Sequence, residues 1–232
     1  MKCVVLQPSY IPWRGVFDQI RRADLFVFYD DVQYDKHGWR NRNQIKTPTG
    51  KQWLTIPVSA RGAVTGHVAI NQVPIVWNKA WSKEHLKTLA QHYRKAPYFK
   101  QYEPLLEEFY SRRDELLAEF TIDFTIALAR ALHIEQTRFV RSSTLGVLGS
   151  KTDRLIALLR QLGADHYLSG PSAREYIEAE KFAAAGIRLE YIAYNYPEYS
   201  QLYPPYDPSV SILDLLFMTG DDALRYIRAQ DE

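Results

Sequence analysis

The sequence predicts an α/β fold: a mostly parallel sheet with flanking helices, an inserted β-hairpin and a helical segment. Residues 3–6 and 25–29 are short, continuously apolar runs rich in β-branched or aromatic side chains. Such runs are typical of strands that are buried on both faces. Residues 15–23 lie between them and have the pattern of a short helix. A strand, a helix and a second strand form a βαβ unit, which predicts a parallel sheet.

Length and composition restrict the class of protein. The chain has 232 residues, of which 46% are hydrophobic and 24% charged, and we expect one globular domain over residues 1–232. The net charge of +2 argues against a protein that coats nucleic acid or an anionic membrane. The single Cys3 excludes an intramolecular disulfide or a Cys-rich zinc site. We see no signal peptide and no membrane span, and expect a cytoplasmic protein.

The chain after the second strand predicts a hairpin. Residues 38–46 alternate in side-chain character with the period of a strand, residues 47–50 read Thr-Pro-Thr-Gly, and residues 52–58 are strand-like again. We place this insertion at about residues 36–76, with loops or short strands over residues 62–74. A helical segment follows at about residues 78–133, with helices predicted at 81–93, 97–110 and 112–132.

The α/β pattern then resumes and completes the sheet. Strands are predicted at residues 138–141, 166–168 and 188–193, and helices at residues 151–162 and 172–185. Residues 194–210 contain four prolines and cannot form a regular element. Long loops within compact domains are often binding segments. Residues 211–218 and 221–229 are predicted to close the chain as helices.

The carboxyl ends of the strands are where a parallel sheet binds its ligands. Three polar, aromatic or Gly/Pro-rich segments fall there, at residues 7–13, 30–34 and 169–172. Their convergence predicts a small-molecule site. The candidate substrate-binding residues in these segments are Gln7, Tyr10, Trp13, Gln33, Ser169 and Gly170.

Two adjacent acids are candidates for catalysis. Asp30 and Asp31 follow the second strand and point to opposite sides of an extended backbone. Either carboxylate can serve as a general base, a metal ligand or a substrate acceptor, and either can instead stabilise a turn. His85, beside Trp81 on a predicted helix, is a third acid/base candidate. No metal-binding motif is present, and we predict no metal site.

A helix start offers an anion site. Ser150 and Asp153 have the spacing of a capping box. Lys151 and Arg154, however, place two cations in the first turn, where the helix dipole disfavours them. A bound phosphate or carboxylate would reverse that effect, whereas the alternative is that both side chains extend into solvent. Ser211 and Asp214 also match a capping box, which gives Asp214 a structural role.

The hairpin offers a second basic surface. Its alternation places Arg40, Arg42 and Lys46 on one face, which can contact phosphate or be solvated. Its other face carries Trp39, Asn41 and Asn43, which we include with Arg42 among the substrate-binding candidates. We predict no nucleic-acid partner.

Eight ordered motifs resemble the WbqC-like protein family along nearly the whole chain. They read VLQPSYIPWRGVFD at residues 5–18, YDDVQY at 29–34, WRNRNQIKTP at 39–48, WLTIPV at 53–58, KTDRL at 151–155, YLSGP at 167–171, YSQ at 199–201 and SILD at 211–214. On this resemblance Tyr199 and Gln201 join the substrate-binding candidates. Many members have His where this chain has Leu6, so no catalytic role is carried over to that position.

The resemblance implies a bacterial acyl- or aminoacyltransferase. Genes of this family commonly accompany genes for surface polysaccharides such as O-antigen or for natural products, which implies transfer of glycine or another acyl group onto an amino sugar or related amine. An acyl-carrier protein is a candidate partner, and the donor stays open between a carrier-protein or coenzyme A thioester, an aminoacyl-tRNA and an aminoacyl adenylate. The acceptor, the use of a metal or ATP and the oligomeric state also stay open.

Roles for the candidate residues follow from that chemistry. Amine attack on an activated acyl group needs a base and an oxyanion stabiliser. Asp31 is the candidate base, with Asp30 second. Oxyanion donors are then sought among Asn41, Asn43 and the backbone of residues 169–170, and phosphate-binding cations among Lys151, Arg154 and Arg42. Two rival functions are an ATP-dependent nucleotidyltransferase, although the His-x-Gly-His motif is absent, and a non-catalytic module that binds a nucleotide sugar or a carrier protein.

Overall fold

The sheet is built from short strands that are widely separated in the chain. The structure, a computed structural model, describes residues 1–59, 68–77 and 80–228. In these ranges the strands, in chain order, are β1 Lys2–Leu6, β2 Leu25–Phe28, β3 Arg42–Thr47, β4 Gly50–Thr55, β5 Arg138–Arg141, β6 His166–Ser169 and β7 Arg188–Tyr191. Strands β1, β2, β5, β6 and β7 form one sheet in the order β5-β2-β1-β6-β7, and every pairing is parallel. The predicted α/β class is confirmed.

The strand order is that of a doubly wound sheet. Numbered among themselves, the five parallel strands lie in the order 3-2-1-4-5, so the chain builds outward from β1 first in one direction and then in the other. Side chains alternate between two cores: Val4 and Phe26 face one, and Cys3 and Leu25 the other. Burial on both faces explains why β1 and β2 appear in the sequence as uninterrupted apolar runs.

Helices cover both faces of the sheet. In chain order they are α1 Arg14–Arg22, α2 Trp81–Tyr93, α3 Phe99–Ser111, α4 Leu117–Ala131, α5 Lys151–Gln161, α6 Ala179–Ala184 and α7 Ile212–Thr219. Helices α1, α4 and α7 share the larger core with the sheet, whereas α5 and α6 pack on the opposite face. The larger core is rich in rings, and Phe109 and Phe124 stack there at 4.4 Å between centroids.

Most element boundaries lie close to the predicted ones, and the exceptions have local causes. The predicted helix at 172–185 is interrupted: a 3₁₀ turn covers Pro171–Glu175, and α6 begins only at Ala179. The last predicted helix is a 3₁₀ segment, Gly220–Tyr226, and residue 229 lies outside the described residues. Residues 60–67 of the predicted insertion and residues 78–79 of the predicted helical segment also lie outside them.

The predicted hairpin is present as β3 and β4. Its antiparallel register pairs Arg42 with Thr55 and Thr47 with Gly50, so a two-residue turn joins the strands. Thr47 Oγ1 donates to the Gly50 carbonyl oxygen at 2.8 Å, and Gly50 adopts a φ of 115° that glycine accepts without strain. The Pro-Thr turn signal in the sequence therefore located this element correctly.

The proline-rich loop that follows β7 is anchored by side chains. Arg14 of α1 donates to the Pro197 carbonyl oxygen at 2.8 Å and to Tyr206 Oη at 2.7 Å. Asp18, one turn further along α1, is fully buried and accepts a hydrogen bond from Tyr196 Oη at 2.9 Å. One helix thus fixes an irregular segment that could not hold itself in place.

A buried carboxylate anchors the middle of the same loop. Asp214 of α7 has no exposed surface and accepts hydrogen bonds from Tyr93 and Tyr199 hydroxyls, both at 2.7 Å, and from Gln201 Nε2 at 2.9 Å. Ser211 does cap α7, because its Oγ accepts from the Leu213 N–H at 3.3 Å. The reciprocal half of the predicted capping box is wrong, since the Asp214 carboxylate is directed into the core instead.

Burial raises the pKa of Asp214 above its ordinary value of 3.8. The folded state therefore holds this proton more tightly than the unfolded state, and the free energy of unfolding falls as the pH rises above 3.8. We expect Asp214→Asn to abolish that fall. Asp214→Ala should cost at least ~2 kcal/mol at any pH, because it leaves three buried donors without an acceptor. Urea denaturation across the acidic pH range measures both effects, and an unchanged pH dependence in Asp214→Asn would contradict this reading.

Candidate functional site

A cavity of about 480 Å³ opens where the chain reverses its direction of sheet growth. The pairing of β1 with β2 continues to Leu6 and Phe28, but the pairing of β1 with β6 ends at Cys3 and Tyr167. The carboxyl ends of β1 and β6 therefore separate, and both line the cavity. This is the switch point at which doubly wound sheets bind their ligands, and the volume suits a small organic molecule.

Two of the three segments that the sequence singled out meet here. The first and third contribute lining residues, whereas the second, residues 30–34, does not line this cavity. The aromatic lining residues are Trp13, Trp39, Tyr167, Tyr176 and Tyr194. The neutral polar ones are Ser9, Gln19, Asn43, Ser169, Ser172 and Ser209. The remaining wall is Arg40, Gly170 and apolar side chains, among them Leu6.

Arg40 is the only charged side chain among the described residues that line the cavity. Its Nη1 donates to the Pro8 carbonyl oxygen at 3.1 Å, and its Nε has no hydrogen-bond partner within the described residues. Loss of hydration lowers the pKa of this guanidinium from 12.5 to about 10, which still leaves it cationic at neutral pH. A partly desolvated cation favours an anion beside it.

The aromatic wall depends on two glycines. The Trp13 ring lies over Gly15, where an added Cβ would come within 2.3 Å of it, and contacts Tyr194 edge to face at 4.8 Å between centroids. A Cβ added at Gly170 would lie 3.1 Å from Tyr194 Oη, so glycine allows this close approach. Gln19 Nε2 donates to the same hydroxyl at 2.7 Å. The Trp-Arg-Gly and Ser-Gly-Pro motifs are thus joined through one tyrosine.

The two asparagines of the hairpin serve the backbone. Asn43 Nδ2 donates to the carbonyl oxygens of Tyr10 at 3.1 Å and Ile11 at 2.8 Å. It thereby holds Ile11 at a φ of 36°, in the left-handed region that non-glycine residues seldom adopt. Asn41 Nδ2 donates to the Ile56 carbonyl oxygen at 2.8 Å. Asn43 therefore shapes the first loop and Asn41 fixes the chain after β4, which leaves both amides little donor capacity for an oxyanion.

The acid pair joins β2 to β5 at the sheet edge away from the cavity. Asp30 is fully buried and accepts hydrogen bonds from Arg141 Nε at 2.8 Å, from the Ser143 N–H at 3.0 Å and from Ser143 Oγ at 2.8 Å. Asp31 accepts from Ser142 Oγ at 2.6 Å. This geometry favours the turn-stabilising alternative over a catalytic base for both carboxylates.

The predicted anion site at the start of α5 has a protein partner instead. Arg154 donates to Asp31 Oδ2 at 2.5 Å and lies over the Tyr29 ring at 5.0 Å. Ser150 occupies the cap position, but its side chain makes no capping bond, and Asp153 pairs with Lys181 at 2.9 Å. The predicted capping box is therefore wrong, because Ser150 makes no capping bond and Asp153 pairs with Lys181. Exposed Lys151 borders a separate hollow next to Glu178.

His85 and Tyr10 lie in the core and do not line the cavity. Tyr10 Oη contacts His85 Nδ1 at 2.9 Å and Tyr110 Oη at 2.5 Å, and the Trp81 ring flanks the imidazole. Burial lowers the pKa of His85 from 6.5 to about 4, with a Thr55 backbone hydrogen bond opposing the shift. A neutral, enclosed imidazole stabilises the fold and does not meet a substrate in this arrangement.

The remaining candidates are scattered. Tyr199 and Gln201 bind Asp214, and Gln33 is exposed and bridges to Ala69. Gln7 is half-buried just beyond β1 and does not line the cavity. Of the predicted substrate-binding residues, the structure brings together Trp13, Trp39, Asn43, Ser169 and Gly170.

Sequence reasoning missed three important side chains of the cavity. Arg40 was seen only as one of three basic residues on the hairpin, and Tyr194 and Tyr176 were not singled out. A signal for Tyr194 existed, because it lies three residues beyond the end of β7, at the carboxyl edge of the sheet. The sequence held no such signal for Arg40, because Arg40 and Arg42 are two residues apart and a strand places both side chains on the same face.

The described residues contain neither a cluster that could hold a metal ion nor a helix that could cross a membrane. Within residues 1–59, 68–77 and 80–228, no group of three or more His, Cys, Asp and Glu side chains could hold a metal ion. Burial raises the pKa of the Cys3 thiol to about 12, which makes it an inert core residue. No helix in these ranges has the length and apolar character needed to cross a membrane.

Fold and cavity together define a doubly wound α/β protein with a ligand-sized opening at the switch point of its sheet. The chain belongs to the WbqC-like protein family, whose sequence model matches residues 7–226. It is similar to the uncharacterized protein Rv1507c of Mycobacterium tuberculosis (strain H37Rv), with 38% identity over 229 residues that cover 98% of this chain and 97% of the relative. No solved structure matches the chain. The resemblance inferred from the motifs is confirmed.

The buried imidazole predicts a loss of stability in acid. Because the pKa of His85 is about 4 in the fold against 6.5 when exposed, only the unfolded chain takes up this proton between those values. The free energy of unfolding should fall by ~3 kcal/mol as the pH drops through that range.

We expect His85→Phe to remove this part of the pH dependence. Tyr10→Phe is the matched control, because it deletes the hydrogen bond to His85 but keeps the imidazole buried. It should lower stability by ~1 kcal/mol at every pH and preserve the slope. Denaturation curves at several pH values measure these effects, and equal slopes in His85→Phe and the unmodified chain would refute the assignment.

Proposed function

We propose that the switch-point cavity binds a phosphate-bearing amino sugar or related amine, and that the chain transfers an acyl or aminoacyl group to it. The process would belong to cytoplasmic steps of surface-polysaccharide or specialised-metabolite assembly. The observation that carries the binding part is Arg40, a partly desolvated cation in a wall of aromatic rings and neutral hydroxyls. The reaction part is supported by the family resemblance.

The lining matches the chemistry of such a substrate. A phosphate needs a cation, and Arg40 is the charged side chain of the described lining. Sugar hydroxyls need neutral groups that both donate and accept, which Ser9, Ser169 and Ser172 provide. No carboxylate lies in the described lining to repel an anion.

Acyl transfer to an amine is compatible with a cavity of this kind. The amine nitrogen forms a bond to the acyl carbon, the carbon–sulfur bond of a thioester breaks, and the departing thiolate takes up the proton that the amine loses. The protein then contributes mainly by holding the reactants in line, which accounts for a large part of many enzymatic accelerations. Seryl hydroxyls of the cavity wall could donate to the developing oxyanion.

A non-catalytic binding module is the second candidate, and one observation favours it. The described lining contains no carboxylate and no imidazole, and Leu6, which lines the cavity, stands where many family members have His. An imidazole at that position would face the ligand. Turnover assays of the unmodified chain and of Leu6→His distinguish the two functions: activity only in Leu6→His would support the binding module.

Ligand binding is tested with purified protein and a panel of nucleotide sugars, sugar phosphates, ATP, coenzyme A, acyl-carrier protein and divalent metals. A ligand at about 100 times its dissociation constant should stabilise the fold by ~2.7 kcal/mol, which a thermal-shift assay detects. We expect Arg40→Gln to weaken binding of a sugar phosphate about 10- to 100-fold, because a charge-assisted bond to phosphate is lost.

Arg188→Gln is the matched control, since its side chain is 73% exposed on strand β7 at the sheet edge. It should bind as the unmodified chain does. A sugar phosphate that binds Arg40→Gln with full affinity would contradict the proposed site. A response to ATP alone, with release of pyrophosphate, would favour nucleotidyl transfer.

A further inference from the structure

Two indole rings lie together on the surface at the mouth of the cavity. The side chains of Trp39 and Trp53 remain 46% and 41% exposed. Their ring centroids are 5.3 Å apart, and the planes are inclined by 32°. Neither ring belongs to the two hydrophobic cores. We call this pair the tryptophan platform; such large exposed apolar surfaces often mark binding sites.

The guanidinium of Arg42 packs against the Trp53 ring of the platform. Trp53 is paired with Gln44 across the hairpin, so Arg42 is its diagonal neighbour on the same face. The Arg42 guanidinium carbon lies 4.5 Å from the Trp53 ring centroid, and its Nη2 donates to the His37 carbonyl oxygen at 2.6 Å. The platform is therefore held by a cation–π contact and carries positive charge.

The platform is continuous with the cavity. Trp39 belongs to both, because its ring lines the opening and also contacts Trp53. The next residue, Arg40, also lines the cavity. Along this short stretch of chain a cation of the cavity wall and a pair of exposed indole rings thus lie side by side.

We infer that the tryptophan platform stacks the nucleobase of a nucleotide-linked substrate whose phosphate lies at Arg40 and whose sugar occupies the cavity. This inference rests on the proposed function and specifies its substrate class. A base is flat on both faces and gains from π surfaces and cations, which are what Trp39, Trp53 and Arg42 offer. Sugar hydroxyls find their partners inside, at Ser169 and Ser172.

The two halves of such a substrate can be tested separately. Calorimetry would measure the affinity of the full chain for glucosamine 1-phosphate, which has no base, and for the five common nucleoside monophosphates and UDP-N-acetylglucosamine. We expect Trp39→Ala and Trp53→Ala each to weaken the nucleotide-containing ligands about tenfold or more. Trp53→Ala, whose ring does not line the cavity, should leave glucosamine 1-phosphate within about twofold. Trp39→Phe, which keeps a ring, should restore most of the affinity.

Leu148→Ala is the control for loss of an exposed apolar side chain, since Leu148 is 88% exposed and does not line the cavity. Circular dichroism and melting curves check that each variant is folded. Nucleotides should also quench tryptophan emission in the unmodified chain, and less so in Trp39→Ala.

Four results would overturn the inference. Nucleotide affinity that is unchanged in both alanine variants would show that no base lies on the platform. An equal loss of glucosamine 1-phosphate affinity in Trp53→Ala would show that the two rings only shape the cavity. If glucosamine 1-phosphate binds through Arg40 but nucleotides bind no tighter, the proposed function stands and the platform has another role. If no phosphate ligand binds, both proposals fall.

Discussion

In a parallel sheet whose strands are added first on one side of β1 and then on the other, the connections that leave the strand ends must diverge next to β1. Here β1 stays paired with β2 along its length but leaves β6 after Tyr167, and the gap between the two carboxyl ends becomes the cavity. Everything that lines the gap depends on this separation: the loop after β1, the turn after β6 and the tyrosine that follows β7. The binding surface is a product of chain topology before any individual side chain contributes to it.

Fixed polar contacts then give the gap its shape. Asn43 holds the first loop in a left-handed conformation, and Arg14 and Asp18 hold the loop after β7 against the same helix that Trp13 begins. These bonds are buried or half-buried, where losing one partner costs more than the bond itself contributes. Most of the family motifs therefore build the walls, and few of their side chains remain free for a ligand. Arg40 and Trp39 are the clearest exceptions.

The fold was more predictable than the site, for a physical reason. Apolar runs and turn residues are local signals, and they located β1, β2 and the hairpin correctly. The partners of Asp30 come from residues 141–143, more than a hundred positions away, so the sequence could not reveal that this carboxylate was already satisfied. The same holds for Tyr199 and Gln201, whose motif is directed at Asp214. Between Arg40 and Arg42, strand periodicity gave no basis for choosing the one that enters the cavity.

The anchoring of the loop after β7 has a consequence for how the protein resists degradation. In the described chain no strand or α-helix lies between β7 and α7. The loop there depends on Arg14 and Asp18, which hold Tyr206 and Tyr196, and on Asp214, which holds Tyr199 and Gln201 between them. A protease needs an extended, flexible segment as its substrate, and a loop fixed by these contacts does not readily provide one. Limited digestion is therefore a sensitive indicator of whether both anchors are intact.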